Sequence, residues 1–411
     1  MQPQIQWRMH PASFFGAEID SKDRSNIRIR SRLTSNVSST TGDFTDNAGF
    51  SADSQSRREL SLVSATPLAP APTKHLVASP SKPAATSVGF RGMTTPFREP
   101  KLRRSLFQLA VSIVPFCLLW TLMWFSLRYS YAIVLVLAVP AAGFLVRLFI
   151  LQHDCGHGSF FRSKAANDAL GRMLSLFTFT PYDRWRKNHA IHHATSGDLD
   201  RRGCGDVHLL TVGEYRNRSA IRRLMYRIHR HPLILFGIGP FIYFVVFQRF
   251  TFHDPHLSKK ERASVYWTNL ALFAAIAFLS WLVGFKEFLL IHLPPMAIAA
   301  SVGAWLFYVQ HHFESTYWKR NDRWDYFQAG LAGSSLYDLP AVLRWFTANI
   351  GLHHVHHLDS QIPNYRLQEC MDANPELQHV ARLTLWGSLS CASLRLWDEE
   401  KSEMVGLRDR D

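Results

Sequence analysis

Formal charge is missing from four long stretches of this chain. No Asp, Glu, Lys or Arg lies between Ser105 and Leu127, and only Arg147 interrupts Ser130 to Leu151. Val265 to Phe285 and Phe288 to Gln310 are also uncharged, separated by a short bend reading GFKEF. Each is about the 20 residues a helix needs to cross a bilayer, which excludes a chain made only of soluble domains. Cysteine is scarce as well. The five residues have no framework spacing, which excludes a disulfide scaffold and suits a reduced, cytosolic environment. Acidic residues number 32 against 46 Lys and Arg, a net charge of +14. No zinc-finger or RNA-binding signature accompanies that excess, and the basic residues flank the apolar runs, so nucleic acid is not an expected partner. The excess is densest from Arg201 to Arg230, and it fits anionic headgroups or an acidic electron-transfer protein.

Residues 1–96 are rich in Ser, Thr, Ala and Pro without apolar periodicity, and SATPLAPAPTKHLVASPSKPAATS reads as a disordered extension. No apolar core precedes a small-residue cleavage site, so a secretory signal is not expected. Glu18, Asp20, Asp23, Asp43, Asp46 and Asp53 argue against an organellar transit peptide, and a gene-start artefact is equally compatible. Residues 97–390 read as the membrane domain and 391–411 as a charged tail.

What the chain does have is histidine, in tight clusters. His153 and His157 lie in HDCGH, His189, His192 and His193 in HAIHH, and His353, His356 and His357 in HHVHH. With 20 histidines in 411 residues, H-x-x-H-H is expected by chance about 0.05 times, yet it occurs twice. On a helix, residues three and four apart share a face, so the imidazoles of each cluster point together, with His354 a surplus residue pointing elsewhere. Eight such nitrogens exceed one tetrahedral zinc. They suit two metals, each with several nitrogens and an open position. The isolated His10, His75, His229, His231, His253, His256 and His379 read as ordinary satisfied or interfacial histidines.

Parity gives the topology. If the clusters share one site, they lie on one side of the membrane. Three apolar stretches separate the second and third clusters, so one of them does not span. Pro232 to Gln248, broken by Gly237, Gly239 and Pro240, is the stretch expected to lie in the interface or re-enter. Four spans in two hairpins follow. Arg98, Lys101, Arg103 and Arg104 precede span one, Lys259, Lys260 and Arg262 precede span three, and Lys319, Arg320 and Arg323 follow span four; the opposite bends hold only Arg128 and Lys286. By the positive-inside rule the clusters face the cytoplasm or its equivalent.

HDCGHGSFF, RWRKNHAIHHATSGDLDRRGCGD, FYVQHHFESTYW and NIGLHHVHHLDSQIPNY, in that order, resemble the membrane-bound fatty acid desaturases over about residues 100 to 385. The likeness is strongest to acyl-lipid ω-6 (Δ12-type) and related bacterial, cyanobacterial and plastid members. The resemblance implies an all-α integral membrane protein with four transmembrane helices in two hairpins, interfacial helices and a cytosolic histidine-rich di-iron cap. It implies two iron ions, dioxygen as co-substrate, and as ligands His153, His157, His189, His192, His193, His353, His356 and His357. A histidine after the last span completes the family's set. His311 in YVQHHFE matches it, with His312 where similar chains, reading QHQFE, have Gln. The implied electron donor is a separate ferredoxin or b-type cytochrome; no haem-binding HPGG motif occurs.

The implied reaction is insertion of a cis double bond into a lipid-linked acyl chain, in a bacterial inner membrane or alternatively an organellar one. Asp154, Asp198 and Asp325 are candidates to orient the imidazoles from behind, and Asn349 to hydrogen-bond a ligand or approach a metal through water. Trp185, Tyr317, Trp318 and Trp324 either border the substrate mouth or, for most of them, anchor the interface. The same boxes also support hydroxylases and carotenoid oxygenases. A non-catalytic metal carrier would need ionisable residues along its spans, and these spans are nearly uncharged.

Overall fold

The computed structural model describes residues 92–252 and 257–407. The extension assigned to 1–96 lies outside them up to residue 91, as do His10, His75, His253 and His256. In chain order, α1 (Leu102–Ser126) and α2 (Tyr131–His157) form a hairpin, followed by α3 (Lys164–Thr178) and α4 (Tyr182–Thr195). A short β1 (Leu210–Thr211) leads into α5 (Val212–Arg216) and α6 (Ala220–His229), then a π-helical turn, Leu233–Ile238, and α7 (Gly239–Val245). The second hairpin is α8 (Lys259–Val283) and α9 (Phe285–His311). After it come α10 (Tyr326–Ala332), β2 (Leu336–Asp338), α11 (Ala341–Phe346), α12 (His353–Leu358) and α13 (Asn364–Ala373). The described chain closes with β3 (Arg382–Thr384), β4 (Leu396–Asp398) and β5 (Glu403–Val405).

The four long helices coincide with the four uncharged stretches. Their outer faces stay bare: Phe107 is 63% exposed, Phe273 72% and Trp281 80%. An apolar belt of that extent is stable against lipid rather than water. The chain is thus an all-α membrane protein with four candidate spans in two hairpins, carrying a cap that holds the histidines. Ser130 starts α2 by accepting a hydrogen bond from the Ala132 N–H. Ser258 and Glu261 form a capping box at the start of α8.

The Pro/Gly-rich stretch is not a straight continuation of α6. It is bent by 54° from α6 and broken into a π-helical turn and the short α7. At its end, Arg249 donates to the Asn269 side chain on α8 and to the Phe179 carbonyl. The turn between α3 and α4 also reaches into the bundle, where Phe177 meets Phe116 of α1 and Phe179 meets His292 of α9. From the other side, α11 lies against α2. Phe346 covers Gly143 so closely that a Cβ there would be 2.7 Å from its ring, and Arg147 donates to the Trp345 carbonyl and to Ser112.

Two boundaries differ from the sequence reading. Met93 and Phe97 pack on the apolar cluster of Leu367, Cys370 and Leu377, so the folded part begins before residue 97. The segment read as a charged tail from 391 is largely folded: β4 pairs antiparallel with β5 and parallel with β1, burying Leu396, Trp397 and Met404. Its charges gather at the hairpin turn, where Glu399 takes both arms of Arg320, and composition hid the two apolar strands around them. Only 408–411 fall outside the described residues.

Candidate active site

Four helices deliver the histidines. α2 runs past the bundle until Gly158 stops it at φ 75°, a left-handed cap that favours glycine, so His153 and His157 occupy its final turns on one face. α4 starts behind Pro181 with Asp183 in its first turn, where the helix dipole favours an acid, and carries His189, His192 and His193. His311 is the last residue of α9. α12 holds His353, His356 and His357, and all six of its residues are buried. Backbone contacts fix its approach: Gly351 O accepts from Tyr337 N at 2.8 Å, and Ile350 O accepts from the Gln310 amide at 2.9 Å.

The nine histidines of the sequence reading come together in two groups. His153, His157, His189, His193 and His356 form one; His192, His311, His353 and His357 form the other. Within each group, one ligand atom per residue lies within 4.8 Å of all the others. His311 Nε2 is 3.2 Å from His192 Nε2 and 3.0 Å from His353 Nε2. His193 Nε2 is 3.2 Å from His189 Nε2 and 3.1 Å from His356 Nε2. Around an ion with metal–nitrogen bonds of about 2.1 Å, right-angled neighbours would be about 3.0 Å apart, so these spacings fit a shared cation.

The outward contacts sharpen the point. His192 Nδ1 meets the Asp206 carboxylate at 2.5 Å, and His311 Nδ1 meets the Gly333 carbonyl at 3.0 Å. Both Nδ1 atoms face acceptors and so carry the proton, which leaves lone pairs on both Nε2 atoms, facing each other. Two lone pairs at 3.2 Å in a buried site repel unless a cation lies between them. Further inward nitrogens, including Nε2 of His153, His157 and His357, are buried with no hydrogen-bond partner among the described residues. Unpartnered, buried and converging, these nitrogens form a donor set that suits a pair of metal ions. Among the described residues no carboxylate joins either group, in contrast to the Glu-rich sites of soluble di-iron bundles.

Behind the imidazoles the sequence reading was uneven. Asp154 touches His153 Nδ1 at 3.2 Å and is held by the Asn364 backbone and side-chain N–H groups, both at 2.8 Å. Asn349 instead donates its amide to the Asn364 carbonyl, one layer further out. Asp198 instead pairs with Arg201, and Asp325 caps α10. Asp206 was missed. It lies in a loop fourteen residues after His192, and its one signal was its place in the RRGCGD run. Gly205 beside it has φ 79°, and a Cβ there would sit 2.8 Å from the Asn188 carbonyl and 3.2 Å from His192 Cβ. His354 points away, its Nε2 on the Leu377 carbonyl, and His312 stacks on Tyr308 outside both groups.

Burial sets the protonation state. His189, His193, His353, His356 and His357 are held well below the ordinary imidazole value, first by loss of water and then by neighbouring imidazoles. They are neutral at pH 7, the form that binds metal.

An apolar cavity of about 210 Å³ opens beside the histidines. His153, His189 and His353 form part of its wall, and Leu145, Met296 and Phe244 line it elsewhere. Trp185 stacks on His189 at 4.7 Å and also lines the cavity, so it belongs to the site rather than to an interfacial belt. Trp318 is buried in the cap beside Trp397, and Trp324 donates to the Ser196 carbonyl.

Residues 128–387 match the fatty acid desaturase family. The chain belongs to that family. It is 45% identical over 312 residues to a fatty acid desaturase of Bacillus subtilis, covering 76% of this chain and 88% of that one. It is 32% identical over 241 residues to an sn-1 acyl-lipid omega-3 desaturase (ferredoxin) of Synechocystis, covering 55% and 63%. A probable fatty acid desaturase of Sorghum bicolor is 29% identical over 241 residues, covering 55% and 59%; the match thus spans about three-fifths of these two relatives. The four apolar helices, the histidine groups and the cavity are therefore parts of a membrane desaturase, an oxidoreductase of lipid metabolism.

Proposed function

We propose that this desaturase holds two irons and uses dioxygen to introduce a cis double bond into the acyl chain of a membrane lipid. The observation that carries the reading is the pair of opposed Nε2 lone pairs on His192 and His311. The assigned ligands are His153, His157, His189, His193 and His356 for one ion, and His192, His311, His353 and His357 for the other. When bound, the metals supply dioxygen activation. The balance is one CH₂–CH₂ unit, one O₂, two electrons and two protons giving one CH=CH and two waters.

The chain's own part is positional. Asp206 and Gly333 fix ring orientation, so Nε2 faces inward. The apolar cavity holds the acyl chain beside His153, His189 and His353 and excludes water from it. Electrons come from a separate donor, a ferredoxin or a b-type cytochrome; a ferredoxin is named for the Synechocystis relative. The basic flanks support a cap and donor on the cytoplasmic side, and we assign the protein to the bacterial inner membrane. The residues around the boxes favour desaturation over oxygenation, and by the resemblance to ω-6 (Δ12-type) members we assign that position. We assign 1–91 no role in the chemistry.

Fatty acid profiling by gas chromatography–mass spectrometry tests the reading. The host makes saturated and monounsaturated chains and co-expresses a ferredoxin or cytochrome donor. A new double bond, absent with His192→Ala, is the expected result, and its position tests the ω-6 assignment. Hydroxylated chains would move the protein to the oxygenases.

A further inference from the structure

The cavity wall contributed by α9 is built in steps of one helical turn. Phe307 lies nearest the histidines, its ring 5.1 Å from His192 and 5.4 Å from His311. Gly303, Ala300 and Met296 follow at intervals of four, three and four residues, all lining the same cavity. Gly303 differs from its neighbours in one respect. A Cβ built on it meets nothing within 4 Å among the described residues, whereas a Cβ on Gly143 or Gly171 would strike an aromatic ring. Its φ is not in the left-handed range, so the backbone does not require glycine there. Packing does not require it either. Glycine inside a helix is unfavourable relative to alanine, and what its absence of side chain provides is open space in the cavity.

We infer that Gly303 is a specificity-determining residue: it keeps the acyl cavity open between the histidine end and Met296, and so sets the length of chain that fits. The inference rests on the reading of this cavity as the acyl site. Gly303 is eight residues from His311, about 12 Å along the helix, and Met296 is fifteen, about 22 Å. The difference, about 10 Å, corresponds to about eight methylenes at about 1.3 Å each, from a carbon–carbon bond of about 1.5 Å. A branched side chain at 303 projects into that space and removes the far part of the cavity. Tyr243 and Phe244 of α7 lie on the same cavity and give such a side chain an apolar surface to meet.

The test has two readouts. Purified wild type, Gly303→Ala, Gly303→Val and Gly303→Leu, in lipid nanodiscs, are offered saturated acyl chains of graded length, and thermal protection by each chain is measured. The same variants are expressed with donor and their products profiled by length and double-bond position. Val302, exposed on the neighbouring lipid-facing side, supplies the control Val302→Leu. The expected result is a length limit that falls in the order Gly, Ala, Val, Leu. Protection by chains beyond the new limit drops at least tenfold, shorter chains are retained, and Val302→Leu matches wild type. Gly303→Ala adds one methyl to open space, so the series stays readable if the larger residues destabilise α9. An unchanged limit in Gly303→Ala and Gly303→Val overturns the inference, as does a fall that is equal for all lengths. If wild type is protected by acyl chains but yields no double bond, the proposed reaction fails and the length series still decides the role of Gly303.

Discussion

At the scale of single residues, orientation of the imidazoles decides the site. His192 and His311 are each protonated on the outer nitrogen by what stands behind them, a carboxylate for one and a backbone carbonyl for the other. Removing Asp206 frees the His192 ring to turn without emptying any packed volume. We expect Asp206→Asn to lower iron affinity about 10- to 100-fold, with the fold retained, measured as iron per chain against free-iron concentration. Unchanged affinity would show that ring orientation is set by packing alone. His157→Ala or His192→Ala removes an inward nitrogen altogether. Loss of activity and of iron with membrane insertion intact is expected, and desaturation persisting in either variant would refute the ligand assignment.

Protonation acts on the same groups. The depressed imidazoles of His189, His193, His353, His356 and His357 bind fewer protons folded than unfolded. Their contribution is therefore complete above the unfolded value of about 6.5 and is lost as pH falls toward the folded values. Metal release and thermal destabilisation of the metal-depleted protein should both set in on acidification below about 6.5. A midpoint temperature that is flat from pH 7.5 to 5 would contradict the burial of neutral imidazoles.

At the scale of elements, two close approaches carry the geometry. A Cβ at Gly171 on α3 would lie 2.2 Å from the ring of Tyr182, the first residue of α4, whose hydroxyl donates to the Cys155 carbonyl at 2.8 Å. Gly171→Val should cost about 1–3 kcal/mol by overpacking, read as a lowered unfolding midpoint in detergent. Gly205 passes against α4 at the level of Asn188 and His192, and its left-handed φ compounds the contact. Gly205→Ala is expected to displace Asp206 from His192 and to lower iron content more than it lowers thermal stability. Equal losses in both would make Gly205 a general packing residue.

Helical spacing made the boxes legible: His153 with His157, and His189 with His192 and His193, face together because three- and four-residue steps share a face. Asp206, in a loop, and Asn364, the first residue of α13, were not legible, since neither lies in a periodic run that fixes where its side chain points. The strands β4 and β5 were also hidden, because Glu399, Glu400 and Lys401 sit in the turn between them and give the segment the composition of a solvated tail.

At the scale of the whole molecule, the apolar runs and their basic flanks fixed the hairpins, and parity alone removed Pro232 to Gln248 from the spans. In the structure that stretch is broken into a π-helical turn and a seven-residue helix. What the runs could not show is how segments between them dip back toward the bundle. The α3–α4 turn reaches His292, and α11 reaches Gly143; both contacts are tertiary and leave no periodic trace. Thr178 at the α3–α4 turn and Pro240, Tyr243 and Phe244 of α7 line the cavity that lies against the histidines.

The most direct test is stoichiometry in proteoliposomes containing the iron-loaded protein, a saturated phospholipid and a reduced donor. Dioxygen consumed and double bonds formed are measured together. The account expects one dioxygen and two donor electrons per double bond, with both signals abolished in His192→Ala. Double bonds formed without dioxygen uptake, or full activity in protein that holds no iron, would contradict it.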